Sequence, residues 1–170
     1  MIIQQTLGVY LIPDSGSSVP KFATEESACF DICAQLRNSV VVAYGPQNIK
    51  QELFVGKDFL ITIPKGWRAL IPTGIILDIP KGFSVRLHAR SGLALKEGII
   101  LSNAEGVIDS DYTQEVMIMI SAMGSPAVIT SGSRICQGEL VQNQPTTIEH
   151  IMYPPMKKTQ RVGGFGSTGV

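Results

Sequence analysis

The apolar residues of this chain come in short runs rich in Val and Ile, and Pro or Gly cuts each run before it reaches helical length. Such runs are Ser39 through Tyr44, Phe59-Leu60-Ile61-Thr62-Ile63, Trp67-Arg68-Ala69-Leu70-Ile71, Gly74 through Ile79 and Phe83-Ser84-Val85-Arg86-Leu87. Glu115 through Ile120 and Arg134 through Val141 continue the series. β-branched side chains suit a pleated surface, so short runs between turn residues predict strands. Ile-Pro-Lys-Gly occurs at Ile63–Gly66 and again at Ile79–Gly82, each time before an aromatic, Trp67 or Phe83. Pro followed closely by Gly marks a turn, so both copies read as strand connections. Only one segment reads as a helix: Ser91 as cap, Gly92 through Glu97 as body and Gly98 as terminator. Many strands and one short helix predict an all-β sandwich or jelly roll. The stretch from Arg37 to Lys57 has a polar middle and reads as an exposed loop or excursion.

A chain of 170 residues, 44% of them hydrophobic, is most simply one domain with a real core. The 14 basic side chains balance 14 acidic ones. That balance gives no support for wholesale binding to a nucleic-acid backbone or an anionic membrane, and leaves room for a small anion at a local basic site. No apolar run approaches a membrane span. The N-terminal Met1-Ile2-Ile3-Gln4-Gln5 lacks the basic-then-apolar pattern of a secretory signal. Cys29, Cys33 and Cys136 are odd in number, which suits a reducing cytoplasm. With no Cys or His nearby in sequence to complete a ligand set, they read as buried thiols, and His88 and His150 as isolated structural residues.

Four segments carry chemistry. Arg90-Ser91-Gly92-Leu93-Ala94 joins a fork-shaped cation and a hydroxyl to the amides that open a helix, a setting for phosphate. Asn103 through Tyr112 places Asp109 and Asp111 before a Tyr, so Asp109 is a candidate for positioning a water or binding a metal. Gly132-Ser133-Arg134-Ile135-Cys136-Gln137 opens a strand, whose alternation predicts Arg134 and Cys136 on one face and Gln137 on the other. Gly163 through Gly169 combines glycines, Phe165, Ser167 and Thr168: a ring to stack on a base, with hydroxyls and bare amides for phosphate. Each has a plainer reading: a helix cap, an acidic hairpin turn with a core Tyr, a surface Arg, a frayed Gly/Ser end. Phe165 counts against the last, because a solvated tail gains nothing from an exposed ring.

Together with Ala28-Cys29-Phe30-Asp31-Ile32-Cys33-Ala34, these segments resemble, in order, the motifs of the homotrimeric deoxyuridine triphosphate nucleotidohydrolases, the dUTPases. The resemblance implies a β jelly-roll catalytic domain over residues 1–158, with 37–58 as an insertion, and a flexible C-terminal arm over 159–170 that closes over the nucleotide. It implies hydrolysis of dUTP to dUMP and pyrophosphate, with Asp109 orienting the water that attacks the α-phosphorus. Tyr112 would sit against the deoxyribose, and Gly106, Val107 and Ile108 would read the uracil edge with help from Asn103. Arg90, Ser91, Gly92, Arg134 and Gln137 would bind the triphosphate. Phe165 would stack on uracil beside Gly166, while Ser167 and Thr168 would hold the γ-phosphate and Arg161 would reach it. Asp31 would support, through water, a Mg²⁺ held mainly by the phosphates. A homotrimer with shared sites follows from the same resemblance. The chain departs from the usual pattern at Cys29 (commonly Gly), Ala89 (Pro) and Ser133 (Asp), the last removing a carboxylate that would pin Arg134. A deoxycytidine triphosphate deaminase of related fold, and a nucleotide-gated regulatory module, are the alternatives. Asp109-Ser110-Asp111-Tyr112 and the aromatic tail count against the first, and the intact Asp109 against the second.

Overall fold

The computed structural model describes residues 5–37 and 40–160. Arg161, Phe165, Gly166, Ser167 and Thr168 therefore lie outside the described residues. The elements are β1 (Gly8–Leu11), β2 (Lys21–Phe22), β3 (Phe30–Cys33), β4 (Val40–Tyr44), β5 (Lys50–Phe54), β6 (Leu60–Ile63), β7 (Arg68–Pro72), β8 (Ile75–Asp78), β9 (Phe83–Ala89), α1 (Ser91–Glu97), β10 (Ile99–Leu101), β11 (Gly106–Asp109), β12 (Met117–Ala122), β13 (Ala127–Thr130) and β14 (Arg134–Gln142). All ladders are antiparallel. One five-stranded sheet has the order β10-β12-β7-β4-β5 and another β11-β9-β14-β3-β2, with the pairs β1-β8 and β13-β6 beside them. This is the jelly-roll-like, all-β architecture with one short helix that the strand pattern predicts.

Alternation builds the core. Ile118 and Ile120 of β12, Ala69 and Ile71 of β7, and Ile61 and Ile63 of β6 point inward and are buried. They meet Phe30 and Ile32 of β3, Val85 and Leu87 of β9, and Ile135 of β14 in one cluster. The opposite face of the β12-β7-β4 sheet carries Met119, Leu70 and Val42, and Leu70 and Met119 are 36% and 40% exposed.

Both Ile-Pro-Lys-Gly copies are turns. Trp67 N–H donates to the Pro64 carbonyl and Phe83 N–H to the Pro80 carbonyl, at 3.0 and 3.1 Å. Gly66 and Gly82 take φ of +78° and +85°, the third-position geometry that glycine supplies at no steric cost.

Three expectations need correction. Arg90, not Ser91, is the residue before the helix: its backbone is extended and Ser91 is the first helical position, while Gly98 ends the helix at φ 64° as expected. Within 37–57 the expected strand run at 39–44 is present as β4, but the polar middle that reads as a loop or excursion includes part of a second strand, β5. β4 pairs with β5 from Val40↔Phe54 to Tyr44↔Lys50, and Val41 and Ala43 enter the core. β5 is mostly exposed, as a polar edge strand, and so is the turn 46–49 before it. Alternation in β14 is broken by a bulge between Arg134 and Cys136, so Ile135 and Cys136 are both buried. An extra residue at a bulge reverses the phase beyond it, which returns Gln137 rather than Cys136 to the face of Arg134.

Candidate active site

The bulge positions a charge cluster. β3 places Asp31 on the outer face of its sheet, between β2 and β14. The Asp31 carboxylate accepts from Arg90 Nε at 3.2 Å on one oxygen and from Arg134 Nη1 at 3.0 Å on the other. Arg90 Nη1 also donates to the Arg134 carbonyl at 3.2 Å. One carboxylate thus gathers two guanidiniums into a clamp with a net positive charge. Asp31 supplies the pin that Ser133 lacks. Gln137 stands in register with Asp31 on one side and His88 on the other, in the row next to the clamp. Ser91 and Gly92 follow Arg90, and the first helical bond is Ala94 N–H to the Arg90 carbonyl, so the amides before it have no partner within the helix. A Cβ on Gly92 would meet nothing, leaving this approach open. Burial first, then the Asp31 carboxylate, raises the Cys33 thiol above its ordinary value. Cys33 is therefore an uncharged neighbour that does not compete for the guanidiniums.

A second group lies at the far end of the same sheet. β11 is an edge strand, with β9 as its ladder partner among the described residues. The backbone groups of Gly106 through Asp109 that face away from β9 are thus open to a ligand. Gly106 packs closely on β9: a Cβ there would come 2.9 Å from Leu87 Cδ1 and 3.0 Å from its Cβ, so Leu87 or the strand would have to shift. Asp109 is exposed, in register with Ser84. The Tyr112 N–H donates to the Asp109 carbonyl at 3.1 Å and its hydroxyl to the Glu115 carbonyl at 3.0 Å, which fixes the ring. Asn103 is exposed in the turn before β11. The segment 103–112, whose plainer reading is an acidic hairpin turn, instead crosses between sheets: β10 pairs in one five-stranded sheet and β11 in the other.

The two groups do not meet within one chain. Asp109 stands opposite Ser84, and Arg90 follows β9 six residues further on, about 20 Å away at ~3.3 Å per residue. Sequence reasoning missed what supports these groups. Glu115 accepts from the Gly74 amide at 2.7 Å and pairs with Arg37 at 3.3 Å, anchoring the segment that holds Tyr112. It also gave Asp31 no role toward the arginines. No local pattern signals either link, since the partners come from distant strands.

The dUTPase family model matches residues 51–169. A deoxyuridine 5'-triphosphate nucleotidohydrolase of Finegoldia magna is 34% identical over 163 residues, 95% of this chain and 98% of its own length. One from Rhizobium etli is 42% identical over 117 residues, 68% of this chain and 74% of its own. Among solved structures, a Staphylococcus bacteriophage 80alpha dUTPase mutant with dUpNHpp superposes with a TM-score of 0.75 at 18% identity, covering 98% of this chain and all of that one.

Proposed function

The chain belongs to the dUTPase family, hydrolases of deoxyuridine triphosphate, and from that premise we propose how its residues divide the reaction, which yields dUMP and pyrophosphate. The Asp31–Arg90–Arg134 clamp, with Ser91, Gly92 and Gln137, receives the triphosphate, replacing water with fixed positive charge. The open edge of β11 reads uracil through backbone N–H and C=O groups of Gly106, Val107 and Ile108, helped by Asn103. Tyr112, fixed through Glu115, lies against the deoxyribose. Asp109 orients the attacking water on the α-phosphorus. Such attack needs positioning and charge neutralisation rather than covalent help. Phe165, Gly166, Ser167, Thr168 and Arg161 close over the base and the γ-phosphate.

Both Asp31 oxygens are engaged by guanidiniums, and each keeps a second lone pair. This donor set fits a Mg²⁺ held by substrate phosphates, with Asp31 accepting from metal-bound water rather than ligating directly. When bound, the ion supplies charge neutralisation at the phosphates.

A base-positioning carboxylate must lie within hydrogen-bond reach of its water, about 2.6–3.2 Å. The roughly 20 Å between Asp109 and the clamp along β9 is incompatible with one chain serving both. That separation supports the reading that sites form between chains, and the number of chains, a homotrimer, rests on the family resemblance alone. The apolar face around Leu70 and Met119 supports it as an available contact surface. Three free thiols support a cytoplasmic setting, and among the described residues no helix is long and apolar enough to cross a membrane.

The test is turnover of dUTP, dCTP, dTTP and UTP with Mg²⁺, following pyrophosphate and ammonia. Pyrophosphate from dUTP, with little from the others, is expected. Ammonia from dCTP, or no turnover of any nucleotide, overturns the reading.

A further inference from the structure

We propose that Cys29, His88 and Glu139 form a zinc-binding site with an open coordination position, separate from the nucleotide's magnesium. The sequence reading finds no His near Cys29, yet the fold supplies one. Cys29 enters β3 and His88 lies on β9, the strands on either side of β14, which carries Glu139. One ligand atom from each of the three lies within 4.8 Å of the other two.

One edge of the cluster already has the spacing of the ion's ligands, and the Cys29 sulfur lies within 4.8 Å of it. His88 Nε2 and Glu139 Oε2 are 3.2 Å apart. Tetrahedral zinc with N and O ligands at about 2.0–2.1 Å sets that edge at about 3.3 Å. A thiolate and an imidazole select zinc over magnesium, which prefers all-oxygen, octahedral surroundings. Access needs no unfolding, since the His88 and Glu139 side chains are 35% and 41% exposed and Cys29 is half-buried. Two neighbouring cations are engaged elsewhere: Arg86, in register with Glu139, pairs with Glu105 at 3.3 Å, and Arg90, two residues after His88, pairs with Asp31. Gln137, in register with His88, is neutral.

The site braces the phosphate clamp. Cys29 precedes Asp31 by two residues, His88 precedes Arg90 by two, and Glu139 shares β14 with Arg134. An ion held by all three ties together the strands that carry the clamp, and so raises the thermal midpoint of the folded chain.

The experiment is equilibrium dialysis of the full chain against Zn²⁺ in excess Mg²⁺, with metal counted by mass spectrometry, beside Co²⁺ substitution. One zinc per chain, a raised midpoint and a thiolate-to-cobalt charge-transfer band are expected. Cys29→Ser should lose the band while Cys33→Ser keeps it. His88→Gln and Glu139→Gln should each weaken zinc binding by about 100-fold, taking structural-zinc affinity as shared evenly among its ligands. Turnover of dUTP by the metal-free variants reports their folding. Failure of the wild-type chain to retain zinc, or equal retention by folded Cys29→Ser and His88→Gln, overturns the proposal.

Discussion

If sites are shared between chains, two inactive variants should restore each other. In Arg90→Ala the clamp loses the guanidinium that spans Asp31 and the Arg134 carbonyl. In Asp109→Asn the carboxylate proposed to position the water is gone while the clamp is intact. Each variant alone should fall by about 10²-fold or more. In a random one-to-one mixed ring, a working site needs a chain with Arg90 next to a chain with Asp109, so about one quarter of sites recover, half of half. The expected signal is thus about 25% of wild-type turnover in the unselected mixture, and about one third in trimers selected to contain both variants, from two preparations that have almost none. The basis is the roughly 20 Å from the Asp109 position to Arg90 along β9, which no side-chain motion spans. The assay is pyrophosphate release from dUTP after joint unfolding and refolding, with two affinity tags isolating oligomers that contain both variants. Doubly tagged oligomers no more active than either parent would refute the shared-site argument, because both functional groups would then have to come from one chain.

Asp109→Asn alone should keep nucleotide binding while turnover drops by about 10²–10⁴; titration calorimetry with a non-hydrolysable analogue beside pyrophosphate release separates the two, and near-full activity removes Asp109 from the mechanism. Truncation after Val162 should abolish most turnover and leave the melting temperature nearly unchanged, since Gly163 through Val170 offers few apolar groups to a core; a large stability loss contradicts this. Gly106→Ala drives a Cβ to 2.9 Å from Leu87 Cδ1 and should cost about 1–3 kcal/mol in urea unfolding; an unchanged midpoint means that β11 does not sit tightly on β9. Burial, then Asp31 and Cys33, pushes the Cys136 thiol from 9.0 up to about 12. The unfolded chain releases this proton first, so the thiol's contribution to stability is complete below pH 9 and is lost between pH 9 and 12. Unfolding of Cys136→Ala should fall less steeply over that range than the wild type, and parallel curves would be the contrary result.

The strands that carry the core were legible because their β-branched runs are long enough to show themselves. β6, β7, β8, β9, β12 and β14 all fall within or beside the expected segments. β5 was not legible: Lys50-Gln51-Glu52 is too polar to read as a strand, and it forms one by extending the sheet from β4 rather than by burying its own side chains. The bulge at Ile135 has no local signal either, since Arg134 through Gln137 alternates plausibly as a plain strand. For the site, the motifs named the residues, but their association required topology. Asp31 meets Arg90 across 59 positions and Arg134 across 103. The grouping of Cys29 with His88 and Glu139 likewise depends on β14 lying between β9 and β3.

The edge of β11, unpaired among the described residues, has a cost as well as a use. Backbone groups free to read a base are also free to pair with a strand from any other molecule. Here the exposed run is four residues long and ends in a carboxylate, Asp109, which is the kind of short, charged edge that resists such recruitment. The oxygens proposed to aim a water at phosphorus thus also protect solubility. On the proposed role of Asp109, neutralising these oxygens would lower turnover and remove a guard against aggregation in one step, and a nucleotide bound at the edge would supply the same protection by covering it.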